Sequence, residues 1–274
     1  MGLTLAAFAF GTCIGALGTL VGVGGGFIIV PVVAFLAPGW STRTITAYSL
    51  AVVFANASSG TLAYLRQRRV DTRSVLPFAL AAAPGVLLGL VGSDRLPRGV
   101  FDPLFGALLL AMSAILAFQP ERRFGRGGPA RRDLTARDGE RYRWTFSMPL
   151  ALAGCFLVGV TSSLFGIGGG PIQVPMLISL LNYPEHVATA TSHAVLALTS
   201  LLATIAHALQ GDYRTDWLPT LATAVGALVG APFGARASRH VPGRVLVRIL
   251  AGMLAFIAAR MLLPHGAATS EERS

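Results

Sequence analysis

The chain of 274 residues has no lysine, two cysteines and only 12 acidic residues. Charged residues make up 12% of it, about half the share in an ordinary soluble domain. So little charge cannot coat a soluble fold, and a chain that is 53% hydrophobic is not disordered. Cys13 and Cys155 both sit inside apolar runs without CxxC or metal spacing. That excludes a disulfide scaffold and leaves both as small core residues. There is no HExxH and no pair of intramembrane aspartates, so neither a metal nor a cofactor is expected. No basic residue precedes the first apolar run, so a cleaved signal peptide is not expected either.

What is present is apolar, with a mean hydropathy of +0.64. The composition predicts an all-α, polytopic integral membrane protein whose partner is the bilayer. All 22 basic residues are arginine, giving a net charge of +10. They lie mostly between apolar stretches, where they face acidic headgroups and set orientation. Without interleaved aromatics the charge does not point to nucleic acid.

Apolar stretches of spanning length cover roughly 44–65, 75–92, 100–118, 187–209, 217–234 and 245–263, each near the roughly 20 residues a membrane helix needs. Two further stretches, 3–37 and 144–182, are too long for one span and too short for two, and a glycine cluster breaks each. They match one another. Gly15, Gly22, Gly24, Gly25, Gly26, Val30 and Pro31 recur as Gly159, Gly166, Gly168, Gly169, Gly170, Val174 and Pro175, at an offset of 144. Ala47-Tyr48-Ser49 answers Ala190-Thr191-Ser192, Gly85 and Gly89 answer Gly226 and Gly230, and Leu96-Pro97 answers Val241-Pro242.

The chain is thus divided into a first repeat (1–118), an arginine-rich linker (119–143), a second repeat (144–264) and a polar tail (265–274). Each repeat is one broken segment plus three spans. The linker holds Arg122, Arg123, Arg126, Arg131, Arg132, Arg137, Arg141 and Arg143, with Gly125, Gly127, Gly128 and Pro129 against a continuous helix, and reads as flexible and cytoplasmic. If each broken segment dips in and returns on the same side, a repeat has three crossings and the halves are inverted. Arg66, Arg68, Arg69, Arg73, the linker, Arg236, Arg239 and Arg244 then share the inside. Only Arg43, Arg95, Arg98 and Arg214 lie outside. The excess of positive charge inside favours this arrangement over parallel halves.

A break in a membrane helix leaves backbone groups unpaired and is tolerated only inside protein or beside water. Gly24, Gly25 and Gly26, and Gly168, Gly169 and Gly170, remove every side chain there. Pro171 suits the start of a helix, whose N-terminus offers N–H donors and the positive end of its dipole to an anion. Two restarts meeting near the midplane are the pattern of inverted-repeat transporters. The other glycines, Gly11, Gly15, Gly85, Gly89, Gly226 and Gly230, read as helix-packing positions, and Gly169→Leu is expected to abolish the rise in melting temperature on anion binding that Gly89→Ala leaves largely intact.

Acidic residues are almost absent from the spans: Asp102 lies near a helix start, and Asp71, Asp212 and Asp216 in loops. A cation would lack a counter-charge, so the expected substrate is a small anion. Ser49, Ser192, His193, Ser162, Ser163 and Gln173 are the polar residues placed to donate to it, with Asn56, Thr161 and Thr191 as further lining; His207 reads as interfacial. A negative-inside potential contributes about 2.3 kcal/mol per charge per 100 mV, about 50-fold in gradient, so anion export needs no carboxylate relay.

The two motifs GVGGGFIIVP and SSLFGIGGGPIQVP, with Ala190-Thr191-Ser192 and the basic linker, resemble the sulfite exporter TauE/SafE family, also called the 4-toluene sulfonate uptake permease family. The resemblance spans nearly the whole chain. It implies a transporter of the cytoplasmic membrane that moves sulfite, organosulfonates or related anions, often outward. The first copy departs in having Phe27 for Pro171 and Tyr48 for Thr191. A homodimer is left open, as is an anion channel on the same scaffold. A serine hydrolase using Ser162 or Ser163 with His193 or His207 is disfavoured by the lack of a complete GxSG motif.

Overall fold

A computed structural model describes residues 2–37, 39–93, 95–118, 127–213 and 217–262. The tail at 265–274, Arg122, Arg123, Arg126, Arg214 and Asp216 lie outside the described residues. The elements are α1 (Gly2–Leu20), α2 (Gly26–Leu36), α3 (Thr42–Arg66), α4 (Thr72–Ser93) and α5 (Arg98–Phe118), followed by a hairpin of β1 (Ala130–Thr135) and β2 (Arg141–Phe146). Then come α6 (Met148–Phe165), α7 (Gly170–Pro175) with a π-helical turn (Met176–Leu180), α8 (Glu185–Leu209), α9 (Trp217–Ser238) and α10 (Gly243–Leu262). Helices dominate, as an all-α polytopic membrane protein requires.

Among the described residues, six helices are long and apolar enough to cross a membrane: α4 to α6 and α8 to α10. This set differs from the sequence expectation at two places. Helix α3 forms over the expected stretch but is too polar to qualify, because Thr46, Ser49 and Asn56 point into the protein and are fully buried. Helix α6 qualifies because the break in 144–182 falls late, leaving 18 residues ahead of it and only a short arm behind. The outward faces are lipid-like. Leu76, Leu80, Leu87 and Val91 of α4 are exposed, whereas its Ala79, Ala82, Gly85, Val86 and Gly89 are buried. Small residues inside and large ones outside is the packing logic of a bilayer.

The halves exchange partners. Helix α1 packs on α9 and its counterpart α6 packs on α4, while α3 lies against α8 and α5 against α10. A Cβ on Gly11 or Gly15 would overlap the backbone of Thr223 or Ala227, and one on Gly85 or Gly89 that of Phe156 or Val160. These glycines let helix backbones touch. Gly89 is such a packing position, as the sequence suggests, and Gly89→Ala would drive a methyl group into the Val160 carbonyl.

Counterpart helices run in opposite directions. Arg43, at the start of α3, pairs with Asp212 just past α8 (2.7 Å), and the Asp71 N–H, beyond the end of α3, donates to Thr191 near the start of α8 (3.0 Å). Ser113 of α5 donates to the Ala251 carbonyl, while Gly106 lies beside Leu262. The second broken segment returns to where it began, since Tyr183 just past its short arm packs on Phe146 just ahead of α6, ring centroids 5.3 Å apart. Arg66, Arg69, Arg137, Arg236 and Arg239 line one cavity, so the α3–α4 loop, the linker and the α9–α10 loop share one end of the molecule.

Where the sequence suggests a flexible linker, residues 130–146 form an antiparallel hairpin, Ala130 opposite Phe146 and Thr135 opposite Arg141. The reason is alternation. Tyr142, Trp144 and Phe146 fall on one face of β2 and are buried, and Tyr183 seals them, with Trp144 4.9 Å away and Phe78 on the far side.

Candidate functional site

Both glycine clusters are breaks. Gly22, Gly24 and Gly25, and Gly166, Gly168 and Gly169, all take positive φ between 67° and 82°, a conformation open to glycine and costly for other residues. Gly25 and Gly169 are the N-caps of α2 and α7, so Pro171 is the second residue of its helix. The chain doubles back at each break. In the first, the N–H groups of Val23 and Gly24 both donate to the Gly18 carbonyl; in the second, the Ile167 N–H donates to Ser162.

The breaks meet each other, reciprocally. A Cβ on Gly26 would stand 2.6 Å from the Ile167 carbonyl oxygen, and one on Gly170 2.5 Å from the Cα of Val23. Gly22 lies on Thr189 of α8 and Gly166 on Thr46 of α3. Gly24 and Gly168 both rest on the same two side chains, Val53 of α3 and Leu196 of α8. Everything here is buried; Val23, Ile167, Val53 and Leu196 have no exposed surface. Among the described residues, the N–H groups of Gly25, Gly26 and Phe27 and of Gly168, Gly169 and Gly170 donate to no backbone carbonyl. Three bare amides from each half therefore meet at the centre of an apolar bundle.

Polar side chains around them are also unsatisfied. Ser49, Ser163, Gln173 and Ser192 are buried, and the hydroxyl or amide nitrogen of each lacks a hydrogen-bond partner. Ser49 lies one turn before Val53 and Ser192 one turn before Leu196, so each hydroxyl shares a helix face with the residue that covers the glycines. Ser162 touches the break directly, its Oγ 3.3 Å from a Cβ built on Gly169, and Gln173 is in the first turn of α7. Ser163 instead faces α4 at Gly89. An unpaired buried polar group costs about 1–3 kcal/mol, which makes this cluster the candidate place for a ligand.

His193 belongs to a different layer. Its Nε2 is 3.3 Å from the Thr19 hydroxyl, which donates to Asn56 Oδ1 at 2.8 Å, and its ring stands edge-on to Tyr64. Tyr64 in turn donates to the Thr19 carbonyl. His193 thus seals the end of α1 against α3 and α8. Among the described residues, no hydrogen bond joins Ser162 or Ser163 to His193. His207, expected at the interface, is fully buried with its Nδ1 2.7 Å from Asp212.

Sequence reasoning missed Thr19, Val53 and Leu196, although each carried a signal: Thr19 aligns with Ser163 at the repeat offset, and Val53 with Leu196. Asp71 lies in the α3–α4 loop, as the sequence suggests, but its carboxylate is buried, accepting from Ser74 (2.6 Å) and Tyr183 (2.9 Å) and paired with Arg132 of β1 (3.3 Å). Two sizeable cavities lie elsewhere, about 590 Å³ at the arginine-rich end and about 670 Å³ between α2, α5 and α10; neither is lined by the break glycines.

Comparison with known proteins gives a consistent picture. The family described as "Sulfite exporter TauE/SafE" matches residues 7–261. A "Probable membrane transporter protein YunE" of Bacillus subtilis is 30% identical over 260 residues, 92% of this chain and 94% of the relative. Another "Probable membrane transporter protein", from Haemophilus influenzae, is 25% identical over 271 residues, covering 97% and 98% of the two chains. A third, from Methanocaldococcus jannaschii, is 23% identical over 265 residues, 92% and 93%. No solved structure matches the chain.

Proposed function

The chain belongs to the sulfite exporter TauE/SafE family of multi-pass membrane transporters, and on that premise we propose that it carries small sulfur oxyanions, sulfite or organosulfonates, out of the cell. The observation that supports this most is the meeting of the two breaks, bare amides from both halves beside the unpaired hydroxyls of Ser49 and Ser192. Amides and hydroxyls donate to sulfonate oxygens without adding a charge that would hold the anion too tightly. Val53 and Leu196 close over both breaks at once, so a rocking of one hairpin against the other exposes the amides to one side at a time. That closure favours alternating access over an open channel. The positive charge of the arginine-rich end supports a cytoplasmic orientation for it, in keeping with a carrier of the inner membrane. The membrane potential then drives export with no coupled ion.

Proteoliposomes loaded with sulfite or an aryl sulfonate test the reading. Efflux should rise with an imposed potential of the driving sign and stay flat with the opposite one. Ser49→Ala with Ser192→Ala should raise the melting temperature slightly, because an unpaired buried hydroxyl costs about 1 kcal/mol or more, yet cut flux about tenfold or more, the loss expected for two hydrogen bonds to a charged ligand. A melting temperature that rises while flux is untouched would sink the assignment of these hydroxyls to substrate.

A further inference from the structure

The cavity of about 590 Å³ at the basic end is built from three separate segments. Arg66 and Arg69 come from the end of α3 and the loop after it, Arg236 and Arg239 from the end of α9, and Arg137 with Asp138 from the turn of the linker hairpin. The hairpin turn is fixed there, the Arg137 N–H donating to the Gln67 carbonyl (3.0 Å) and Asp138 accepting from Arg69 Nη2 (2.8 Å). Against that one carboxylate stand five guanidiniums. Among the described residues, Arg66, Arg137, Arg236 and Arg239 form no ion pair. Arg69 is 3% exposed, and its Nη1 is buried without any acceptor.

Arginines that only set membrane orientation need neither a cavity nor a buried guanidinium. A buried N–H of a charged group left unpaired is costly, and an anionic oxygen is the acceptor that suits a guanidinium best. The guanidinium fork fits tetrahedral and trigonal oxyanions two bonds at a time. We propose that this cavity is a second oxyanion site, separate from the glycine breaks, that holds a phosphate-class polyanion with Arg69 at its base. The volume exceeds what one small oxyanion fills, and the charge suits a ligand with more than one anionic group. Such a ligand bridges the linker turn to the end of α9 and so ties the hairpin to the bundle.

Calorimetric titration of the full chain with inorganic pyrophosphate tests this, in an uncharged detergent at low ionic strength because such pairs are screened by salt. Pyrophosphate is expected to bind. Arg236→Gln with Arg239→Gln, both exposed and removable without cost to folding, should weaken it about tenfold or more, and so should Arg69→Gln. Arg95→Gln, at the opposite end, should not. Ser49→Ala with Ser192→Ala should keep pyrophosphate binding whatever it does to flux, so this site stands or falls apart from the transport reading. Repeating the titration in nanodiscs of phosphatidylglycerol and of phosphatidylcholine identifies the source. Loss of binding only in the former means that lipid phosphate occupies the same arginines, and equal binding in both means a free solute. No binding in detergent, or equal binding in all variants, overturns the proposal.

Discussion

The two breaks share a backbone and a seat, and differ in what they lead to. Both turn through three glycines at positive φ, both rest on Val53 and Leu196, and each presses on the other. Beyond the glycines they part. Helix α2 continues for 11 residues through Pro31 and ends beside Trp40, whose ring meets Tyr48 edge-on. Helix α7 lasts six residues, widens into a π-turn after Pro175, and delivers Tyr183 into the aromatic cluster of the linker hairpin. The counterparts Tyr48 and Thr191 have also diverged. Tyr48 bonds Thr223 of α9 (2.6 Å), whereas Thr191 accepts from the Asp71 N–H. The duplicated part is what a two-sided carrier needs on both sides. The diverged part joins the second break to the linker hairpin through Tyr183, while the first half meets the hairpin at Gln67, Arg69 and Asp71, away from its own break.

The shared part can be broken most severely. Gly26→Val and Gly170→Val each push a branched side chain into the backbone of the other break, and should cost about 3 kcal/mol or more apiece, the upper end for overpacking, since backbone cannot step aside. Melting temperatures in detergent should fall alike for both. A large fall for one and none for the other would show that the halves are not interchangeable at their point of contact. Gly89→Ala belongs in the same experiment, because its methyl group would meet the Val160 backbone. Loss of stability alone therefore does not distinguish a break glycine from a packing glycine; only the serine pair separates binding from folding.

The diverged part is sharpened by Asp71→Asn. The carboxylate holds Arg132, Ser74 and Tyr183 at once, and the Arg132 guanidinium lies over the Phe146 ring (5.4 Å). Removing the charge leaves a mostly buried arginine unpaired, which costs about 3 kcal/mol. Limited proteolysis should then cut within 127–147, while the first break, which the hairpin does not touch, keeps its packing. If cutting there is unchanged, the aromatic cluster alone holds the hairpin.

The internal repeat made most of the fold legible, because a duplicated motif marks its own boundaries and the glycine-proline pattern marks where helices stop. The repeat also singled out two of the candidate residues. Ser49 and Ser192 recur, and both proved buried and unpaired. What stayed hidden depended on contacts that no local pattern encodes. Asp71 reads as a loop acid until the hairpin brings Arg132 to it. Gly89 reads as a packing position, but the sequence does not say how near Val160 comes. The hairpin itself was masked by its arginines. A strand of RYRWTF alternates correctly, but composition drew attention to the charged face rather than to Tyr142, Trp144 and Phe146 on the other.

The weakest link between hairpin and bundle is Asp138 with Arg69, and acid should break it first in a defined direction. The Asp138 carboxyl is held below its ordinary value, chiefly by the hydrogen bond from Arg69 and then by the Glu140 N–H. A carboxyl depressed on folding adds stability that is present above its unfolded pKa and lost as pH falls through the folded one. Tyr142, raised by burial and by donating to Glu140, stays neutral throughout. Trp144, buried in the docked hairpin, reports the outcome. Its fluorescence, isolated in a chain with Trp40→Phe and Trp217→Phe, should be constant from neutral pH down to the ordinary carboxylate range and change only below it. Asp138 is about half exposed, so solvent screens the pair and the effect should be small. Asp138→Asn should remove the acid step while leaving the signal at neutral pH nearly unchanged. A step that persists in that variant would mean that another carboxylate, Asp71 first among them, is what acid releases.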